Sequence, residues 1–177
     1  MKTKLLLILL TVTPLFFSSC NTSSIEQERL EKVESMLEIQ NTITAYAMAW
    51  DYEKTEEFAN HFHKDAIIID SWHNTETERF NGVQEFMDAR KSENGNIGGH
   101  TLSLIHFEDL TETTAKTKVV FNYFWYGDFV NSDAKVNIRG LYIDEWVKTE
   151  DGWRIMKRRI EHENVPEHRA KQFGIIE

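Results

Sequence analysis

The second half of the chain carries the pattern that most restricts the fold. After Gly98 and Gly99, apolar and polar residues alternate with a period of two through most of the remaining sequence, which indicates β-strands. Short turn sequences interrupt this alternation, so successive strands are expected to pair antiparallel. The predicted strands cover residues 100–107, 114–126, 135–147 and 153–163, with turns at Glu112 to Thr114, Asn131 to Asp133 and Asp151-Gly152.

A long helix is predicted before these strands. From Leu30 to Trp50, apolar residues recur at three- and four-residue steps, as on one face of an amphipathic helix. Helices that precede an antiparallel sheet along the chain define the α+β class. We expect a cone, in which a curved antiparallel sheet wraps around the N-terminal helices and encloses a pocket. Periodicity alone does not establish the curvature.

The remaining predicted elements are short. Thr55 is expected to cap a second helix that buries Phe58 and Phe62. The other elements are a strand AIIID at residues 66–70, a turn FNG at residues 80–82, and a third helix that contains Val83, Phe86, Met87 and Arg90 and ends near Asn94-Gly95.

The first residues have the pattern of an export signal. Lys2 and Lys4 precede an apolar run at residues 5–17, which is too short to span a bilayer as a stable helix. Two serines and Cys20 follow. This arrangement resembles a bacterial lipoprotein signal, in which the cysteine becomes the lipidated first residue of the mature chain. An ordinary secretory signal with a chance cysteine is the alternative.

The export signal leads to a prediction for the rest of the chain. We expect a signal peptide at residues 1–19, a polar tether at 20–29, one α+β domain at 30–165 and a C-terminal tail at 166–177. The protein is then exported and anchored to a membrane by its lipid, in the periplasm or at the cell surface. Because Cys20 is the only cysteine, an intramolecular disulfide and a cysteine metal site are excluded.

The net charge argues against nucleic acid as a partner. Removal of Lys2 and Lys4 with the signal changes the formal net charge from −9 to −11. A nucleic-acid-binding protein needs basic surface to neutralise phosphates. Anionic lipid is disfavoured for the same reason, so membrane attachment is expected through the lipid anchor only.

Tyr46, Asp51 and His100 have the side chains best suited to acid–base chemistry. An imidazole can take or return a proton near neutral pH, a carboxylate can fix its tautomer, and a tyrosine hydroxyl can donate to an oxygen that gains charge. Asp51 lies where helix carbonyls are partly negative, which is tolerable if its partner lies elsewhere in the fold. The alternatives are a core tyrosine, a solvated loop aspartate and a histidine that simply begins a strand.

Three segments of the chain resemble the SnoaL-like branch of the nuclear transport factor 2-like superfamily. They are YAMAWD, GGHTLSL and LYIDEWVKTEDGWRIMKRR, within a similarity that covers residues 30–160. The resemblance implies an α+β cone, often dimeric, and many members are cofactor-free dehydratases, isomerases, cyclases or hydrolases. The bile acid 7α-dehydratases have a catalytic tyrosine and aspartate spaced as Tyr46 and Asp51, and a histidine that follows a glycine as His100 does. The resemblance therefore implies catalytic roles for these three residues.

Other positions depart from the dehydratases of this superfamily. Asn122 and Tyr123 lie where the bile acid enzymes have a further acidic residue, and Val119 lies where scytalone dehydratases have a second histidine. The resemblance thus implies a cofactor-free lyase or isomerase of a small, largely apolar hydroxylated or carbonyl compound, without indicating which one. Members that only bind ligands are common, so a non-catalytic small-molecule-binding lipoprotein of the same fold is the alternative.

The segment VVFNYFWYGDF at residues 119–129, most of it in the predicted strand 114–126, is apolar on both faces, so both faces must be covered. One face is expected to line the pocket and the other to form a homodimer interface, and for any single residue an ordinary two-layer core is the alternative. Tyr142 and Asp144 share a face of the next strand and can line the same pocket, although the family resemblance implies a largely structural role for this Y-x-D pattern. The predicted substrate-binding residues are Trp50, Phe121, Tyr123, Trp125, Tyr142 and Asp144.

The sequence predicts neither a metal site nor a cofactor site. His61 and His63, with His73 nearby, have a two-residue spacing that suits zinc only on a strand or loop. The basic run KRR at residues 157–159 fits a solvated face. The sequence has no glycine-rich phosphate loop, nucleophile elbow or dinucleotide fingerprint.

Overall fold

A computed structural model of the chain describes residues 19–90, 97–126 and 135–164. Several predictions from the sequence lie outside these residues and are not tested by the structure. They are the signal before Ser19, the end of the third helix near Asn94-Gly95, the turn at Asn131 to Asp133 and the tail at residues 166–177.

The first helix, α1, runs from Ser19 to Asp51 and so begins well before Leu30. Its two ends differ in burial. Residues 23–34 are exposed, whereas Ile39, Ile43 and Tyr46 are buried against the rest of the fold. The apolar stripe predicted from Leu30 onward therefore enters the core only in its second half. No helix within the described residues is both long enough and apolar enough to cross a membrane.

The second helix, α2, spans Thr55–Asn60 and is shorter than predicted. Lys54 is the N-cap residue and Thr55 is the first helical residue, so the prediction that Thr55 caps this helix was wrong. Phe58 is buried in α2 as expected. Phe62 is also buried, but it begins the first strand, β1 (Phe62–Trp72), instead of ending the helix.

A second strand, β2 (Thr75–Asn81), forms a hairpin with β1 and was not predicted. Its sequence TETERFN has one buried apolar residue, Phe80, so the alternation that identifies a strand is almost missing. Gly82, with φ 110°, ends the hairpin in a conformation that favours glycine. The third helix, α3 (Val83–Arg90), follows directly and buries Phe86 and Arg90.

Five strands follow: β3 (Ile97–Leu102), β4 (His106–Leu110), β5 (Thr114–Tyr126), β6 (Lys135–Thr149) and β7 (Gly152–His162). The strand predicted at residues 100–107 is therefore two strands. Both pair with β5, and the chain between them stays attached to β5 because Ser103 exchanges hydrogen bonds with the backbone of Val120.

The seven strands form one curved, unclosed sheet in the order β2-β1-β7-β6-β5-β3, with β4 also paired to β5. The α+β prediction and the cone around the N-terminal helices are confirmed. The sheet is mixed, however, and not wholly antiparallel, because β1 and β7 run parallel. The chain reaches this arrangement by placing its first long strand beside its last one.

A β-bulge in β7 decides which side chains of that strand face the interior. Trp146 pairs with Ile155 and Glu145 pairs with Lys157, so Met156 is an extra residue without a partner. An extra residue shifts the alternation of faces by one position. Trp153 and Ile155 are buried before the bulge, and Arg158 and Ile160 are buried after it.

Candidate active site

Asp51 and His100 form a hydrogen-bonded pair. Asp51 is the last residue of α1, and its carboxylate accepts the backbone N–H of His100 at 2.8 Å. The second carboxylate oxygen lies 2.6 Å from the His100 ring nitrogen Nδ1. Because an ionised carboxylate only accepts hydrogen bonds, Nδ1 carries the proton. The partner of this helix-end aspartate thus lies on a distant strand, as its unfavourable position at the helix end suggested.

Tyr142 completes the interaction with the imidazole. Its hydroxyl lies 2.8 Å from His100 Nε2, and with the proton on Nδ1 the hydroxyl is the donor. Burial raises the pKa of Tyr142 well above its usual value, and the neighbouring Tyr46 raises it further, while Arg158 acts in the opposite direction. Tyr142 is therefore a neutral phenol over the physiological pH range. The sequence identified it only as a pocket residue.

Tyr46 lies beside this group and does not contact the imidazole directly. Its ring meets that of Tyr142 edge to face at 5.7 Å, and its centroid lies 6.4 Å from that of His100. Burial raises the pKa of Tyr46, and Arg158 only partly offsets that effect. Tyr46 is thus a second neutral phenol in the wall of the site, one residue further from the imidazole than Tyr142.

A buried ion pair between Arg158 and Asp144 packs against the rings of the two tyrosines. Two parallel hydrogen bonds of 2.7 Å join the guanidinium to the carboxylate, and both side chains have 0% exposure. The guanidinium carbon lies 4.0 Å from the ring centroid of Tyr46 and 4.2 Å from that of Tyr142. The Asp144 carboxylate holds the pKa of Arg158 above its usual value despite burial, so the arginine stays charged.

This ion pair corrects two predictions. Asp144 was predicted to bind substrate, but its carboxylate is fully engaged by Arg158, and Asp144 is not among the residues that line the cavity described below. The KRR run was predicted to be a solvated face, but Arg158 is completely buried. The Met156 bulge explains the second error, because it turns Arg158 to the interior.

A cavity of about 120 Å³ opens beside His100. Of the predicted substrate-binding residues, Trp50, Phe121, Tyr123 and Tyr142 line it, together with Tyr46 and His100. Trp125 lies on β5 opposite Gly98, and only its backbone belongs to the described part of the structure. These four residues therefore lie where a ligand in the cavity can contact them, and their role in substrate binding stays a prediction.

Glycine on β6 allows the aromatic wall to pack closely. Phe121 pairs with Gly140 across β5 and β6, and its ring stacks on that of Tyr142 with centroids 4.3 Å apart. A Cβ atom at Gly140 would lie 2.7 Å from the Phe121 ring, which is closer than such atoms pack. The absence of a side chain at Gly140 thus leaves the room that the Phe121 ring occupies.

The histidines considered for zinc binding do not come together with other ligands. Within the described ranges, no group of three or more His, Cys, Asp or Glu side chains is arranged to hold a metal ion. His61 follows α2 and His63 lies on β1. The Nδ1 atom of His63 instead accepts a hydrogen bond from the backbone of Asp65.

The sequence model of the SnoaL-like domain matches residues 31–159. The chain belongs to the SnoaL-like family. This family is part of the nuclear transport factor 2-like superfamily, so the resemblance of the sequence to both is confirmed. No curated protein sequence is significantly similar to this SnoaL-like chain.

Three solved structures show the range of proteins that share this fold. A candidate scytalone dehydratase from Novosphingobium aromaticivorans is 18% identical, with a TM-score of 0.64 over 76% of this chain and 87% of that chain. LinA is 15% identical, with a TM-score of 0.64 over 77% and 91%. The beta subunit of the benzoate 1,2-dioxygenase from Burkholderia mallei is 12% identical, with a TM-score of 0.61 over 71% and 89%. At these identities the likeness establishes the fold alone.

Three polar residues of the SnoaL-like cavity were not predicted from the sequence. Asp70, Arg90 and His162 line it together with the residues around His100. Asp70 ends the predicted strand AIIID, and a carboxylate among apolar strand residues was a signal that could have identified it. His162 had no such signal, since its direction depends on the Met156 bulge.

Proposed function

We propose that this SnoaL-like protein is a cofactor-free lyase or isomerase that acts on a small, largely apolar hydroxylated or carbonyl compound. The observation that carries the proposal is the series of hydrogen bonds from Asp51 through His100 to Tyr142 in the wall of the cavity. These side chains include a base, the carboxylate that orients it and a neutral hydroxyl donor. Together they can move a proton and stabilise an oxygen that gains charge.

His100 is proposed to act first as the base and then as the acid. Asp51 keeps the proton on Nδ1, so the lone pair of Nε2 is directed away from the carboxylate. In a dehydration, Nε2 takes a proton from the carbon next to a carbonyl, and the C–H electron pair is held in the enolate of that carbonyl. The enolate forms the new double bond as the hydroxyl group on the neighbouring carbon leaves. As the C–O bond breaks, the departing oxygen takes the proton from Nε2 and leaves as water. Asp51 stabilises the imidazolium between these events.

The tyrosines are proposed to hold the oxygen of the substrate. Their raised pKa values keep both Tyr142 and Tyr46 protonated, so each can donate a hydrogen bond but neither can serve as a base at neutral pH. Tyr142 is the better placed, since its hydroxyl lies next to His100 Nε2. When substrate binds, this O–H is proposed to turn from Nε2 to the substrate oxygen, which frees the Nε2 lone pair to act as the base. This assignment gives Tyr142 the role that the sequence suggested for Tyr46, and it makes Tyr46 a supporting residue.

The proposal is tested with 3-hydroxycyclohexanone, whose dehydration is followed by the absorbance of cyclohexenone, and with cyclohexanone, whose exchange with D₂O is followed by NMR. We expect the protein to accelerate at least one reaction and His100→Gln to lower that rate by about 10²–10⁴-fold, the usual contribution of general acid–base catalysis. His106→Gln is the matched control, because His106 is exposed on β4 and absent from the cavity lining. Equal rates for the protein and His100→Gln, or no acceleration of either reaction, contradict the proposal.

A small-molecule-binding protein is the second candidate function. It is favoured by the Tyr142 hydroxyl, which occupies the Nε2 lone pair of His100 in the absence of ligand. Mass spectrometry of whatever co-purifies in the cavity distinguishes the two functions, because a binding protein releases its ligand unmodified.

Export, lipid attachment and dimerisation are proposed on the sequence. Cys20 is predicted to carry the lipid. Mass spectrometry of the mature N-terminus can detect this lipid, and Cys20→Ser is expected to abolish it.

A homodimer is consistent with Phe124, which is 36% exposed on the face of β5 opposite the buried Phe121. Light scattering of the protein without its anchor measures the oligomeric state.

A further inference from the structure

A second pocket lies beside the third helix and has no part in the proposed chemistry. Its volume is about 230 Å³, against about 120 Å³ for the cavity next to His100. The lining of this second pocket includes Trp50 from α1, Phe58 from α2, and Gln84 and Met87 from α3. We call this space the α3 pocket.

Trp50 belongs to the lining of both the α3 pocket and the cavity, and no other described residue does. Phe58 lines only the α3 pocket, and Phe86 lines only the cavity. The indole of Trp50 packs on both rings, with its centroid 5.0 Å from that of Phe58 and 5.6 Å from that of Phe86. The side chain of Trp50 thus contacts one ring from each space, so it forms part of the wall that separates them.

The other two rings of this wall are fixed by the core. Phe58 and Phe86 stack on each other with centroids 6.2 Å apart, and both are buried. Phe58 also packs on Tyr46, and Phe86 packs edge to face on Phe80. Trp50 is only partly buried and packs against the edge of this cluster. Loss of its indole therefore opens the wall while the two phenyl rings keep their core contacts.

The wall limits the size of a compound that the cavity can enclose. A cavity that admits benzene has a volume of about 150 Å³, which is already larger than the cavity next to His100. A compound with two rings therefore cannot be enclosed there. The α3 pocket has room for a second ring, and Phe58 and Met87 give it apolar surface on which such a ring can be buried.

We infer that Trp50 is a specificity-determining residue, which restricts the substrate to a single ring by closing the cavity toward the α3 pocket. This inference rests on the proposed function for the use of the cavity as the substrate site, and it adds an upper limit of size to that function. A small residue in place of Trp50 joins the two spaces, because the indole is the part of the wall that they share.

The test is an NMR titration of the protein with phenol, which has one ring, and with 4-phenylphenol, which carries a second ring opposite the same hydroxyl group. In the unsubstituted protein we expect 4-phenylphenol to bind no more tightly than phenol, since its second ring stays outside the cavity. In Trp50→Ala we expect it to bind at least about tenfold more tightly than phenol, the ratio that burial of a further ring provides.

Two further variants locate the second ring. Met87→Ala is the matched control, because it removes an apolar side chain from the α3 pocket and leaves the indole in place. Its ratio of affinities should equal that of the unsubstituted protein. Gln84→Trp combined with Trp50→Ala fills the α3 pocket from α3, and the tenfold preference for 4-phenylphenol should then disappear.

Four outcomes overturn the inference: tighter binding of 4-phenylphenol by the unsubstituted protein, an unchanged ratio in Trp50→Ala, a preference that survives Gln84→Trp, or no binding of either compound. Trp50→Leu replaces Trp50→Ala if thermal melting indicates that the latter does not fold. The titration requires no turnover. A raised ratio in Trp50→Ala with an unchanged rate in His100→Gln overturns only the proposed function, and an unchanged ratio with a slow His100→Gln overturns only the inference.

Discussion

Two histidines line the cavity, and each is paired with a carboxylate in a different way. Asp51 binds Nδ1 of His100 at 2.6 Å, and the other nitrogen of that ring contacts Tyr142. Asp70 lies 3.1 Å from Nε2 of His162, and the other nitrogen of that ring is buried without a partner in the described chain. One imidazole is thus held at both nitrogens, and the other is held at one.

The two carboxylates also differ in what else they hold. Both oxygens of Asp51 bind His100, one at the ring and one at the backbone N–H. Asp70 divides its oxygens between His162 and Arg90, and Arg90 fastens α3 to the sheet. Loss of Asp51 should therefore affect chemistry most, whereas loss of Asp70 should affect stability as well.

The largest expected effect is that of Asp51→Asn on the rate. An amide can present its N–H to His100, which allows the other tautomer of the ring and leaves the imidazolium without its counter-charge. We expect kcat to fall by about 10²–10⁴-fold, as when a general base loses its orienting group. Turnover of whichever cyclohexanone compound the protein accepts is the measurement.

The matched control for this substitution is Asp65→Asn, because Asp65 is an exposed aspartate on β1 outside the cavity lining. Its rate and melting temperature should equal those of the unsubstituted protein. If Asp51→Asn and Asp65→Asn have equal rates, Asp51 has no part in the mechanism. The two histidine–carboxylate pairs would then not differ in their importance for catalysis.

Local signals in the sequence pointed to the Asp51 half of the first pair, and the family resemblance supplied His100. The predicted strand 114–126 matches β5, and the end of α1 was placed correctly near Trp50 and Asp51. An acidic residue at a helix C-terminus conflicts with the helix dipole, and that conflict pointed to a partner elsewhere. The assignment of His100 as that partner came from the family resemblance, and the hydrogen bonds of the structure are consistent with it.

The second pair could not be predicted because its geometry depends on tertiary pairing. Nothing local indicates that β1 and β7 run parallel, or that Met156 is an extra residue opposite β6. Without that bulge, Arg158 and His162 would occupy the outer face of the sheet, which is where the KRR run was expected. One unpaired residue thus decides the location of a buried arginine and of a cavity histidine.

The second largest effect is expected at the buried ion pair between Arg158 and Asp144. Arg158→Met leaves Asp144 as a buried charge without a partner, and we expect a loss of about 3–5 kcal/mol in the free energy of unfolding. Urea unfolding followed by tryptophan fluorescence is the measurement. The contacts with the rings of Tyr46 and Tyr142 are lost in the same variant.

The double variant Arg158→Met with Asp144→Leu separates charge from packing. Replacement of a whole buried ion pair by apolar residues of similar volume is often nearly neutral. We therefore expect the double variant to recover most of the stability lost in Arg158→Met. A double variant no more stable than Arg158→Met would mean that the packing of the guanidinium between the tyrosines, and not its charge, supports this wall.

The smallest effect, and the one that best separates the two pairs, is that of Asp70→Asn on stability as a function of pH. The pKa of Asp70 is lowered in the folded protein, so its contribution to stability is complete above the unfolded value of about 4 and disappears as pH falls through the folded value. At pH 7 we expect Asp70→Asn to cost about 1.5–3 kcal/mol, the value of hydrogen bonds to a charged group. The difference between the two proteins should shrink as the pH is lowered below about 4. A difference that stays constant down to pH 2 would show that Asp70 acts through its shape and not through its charge.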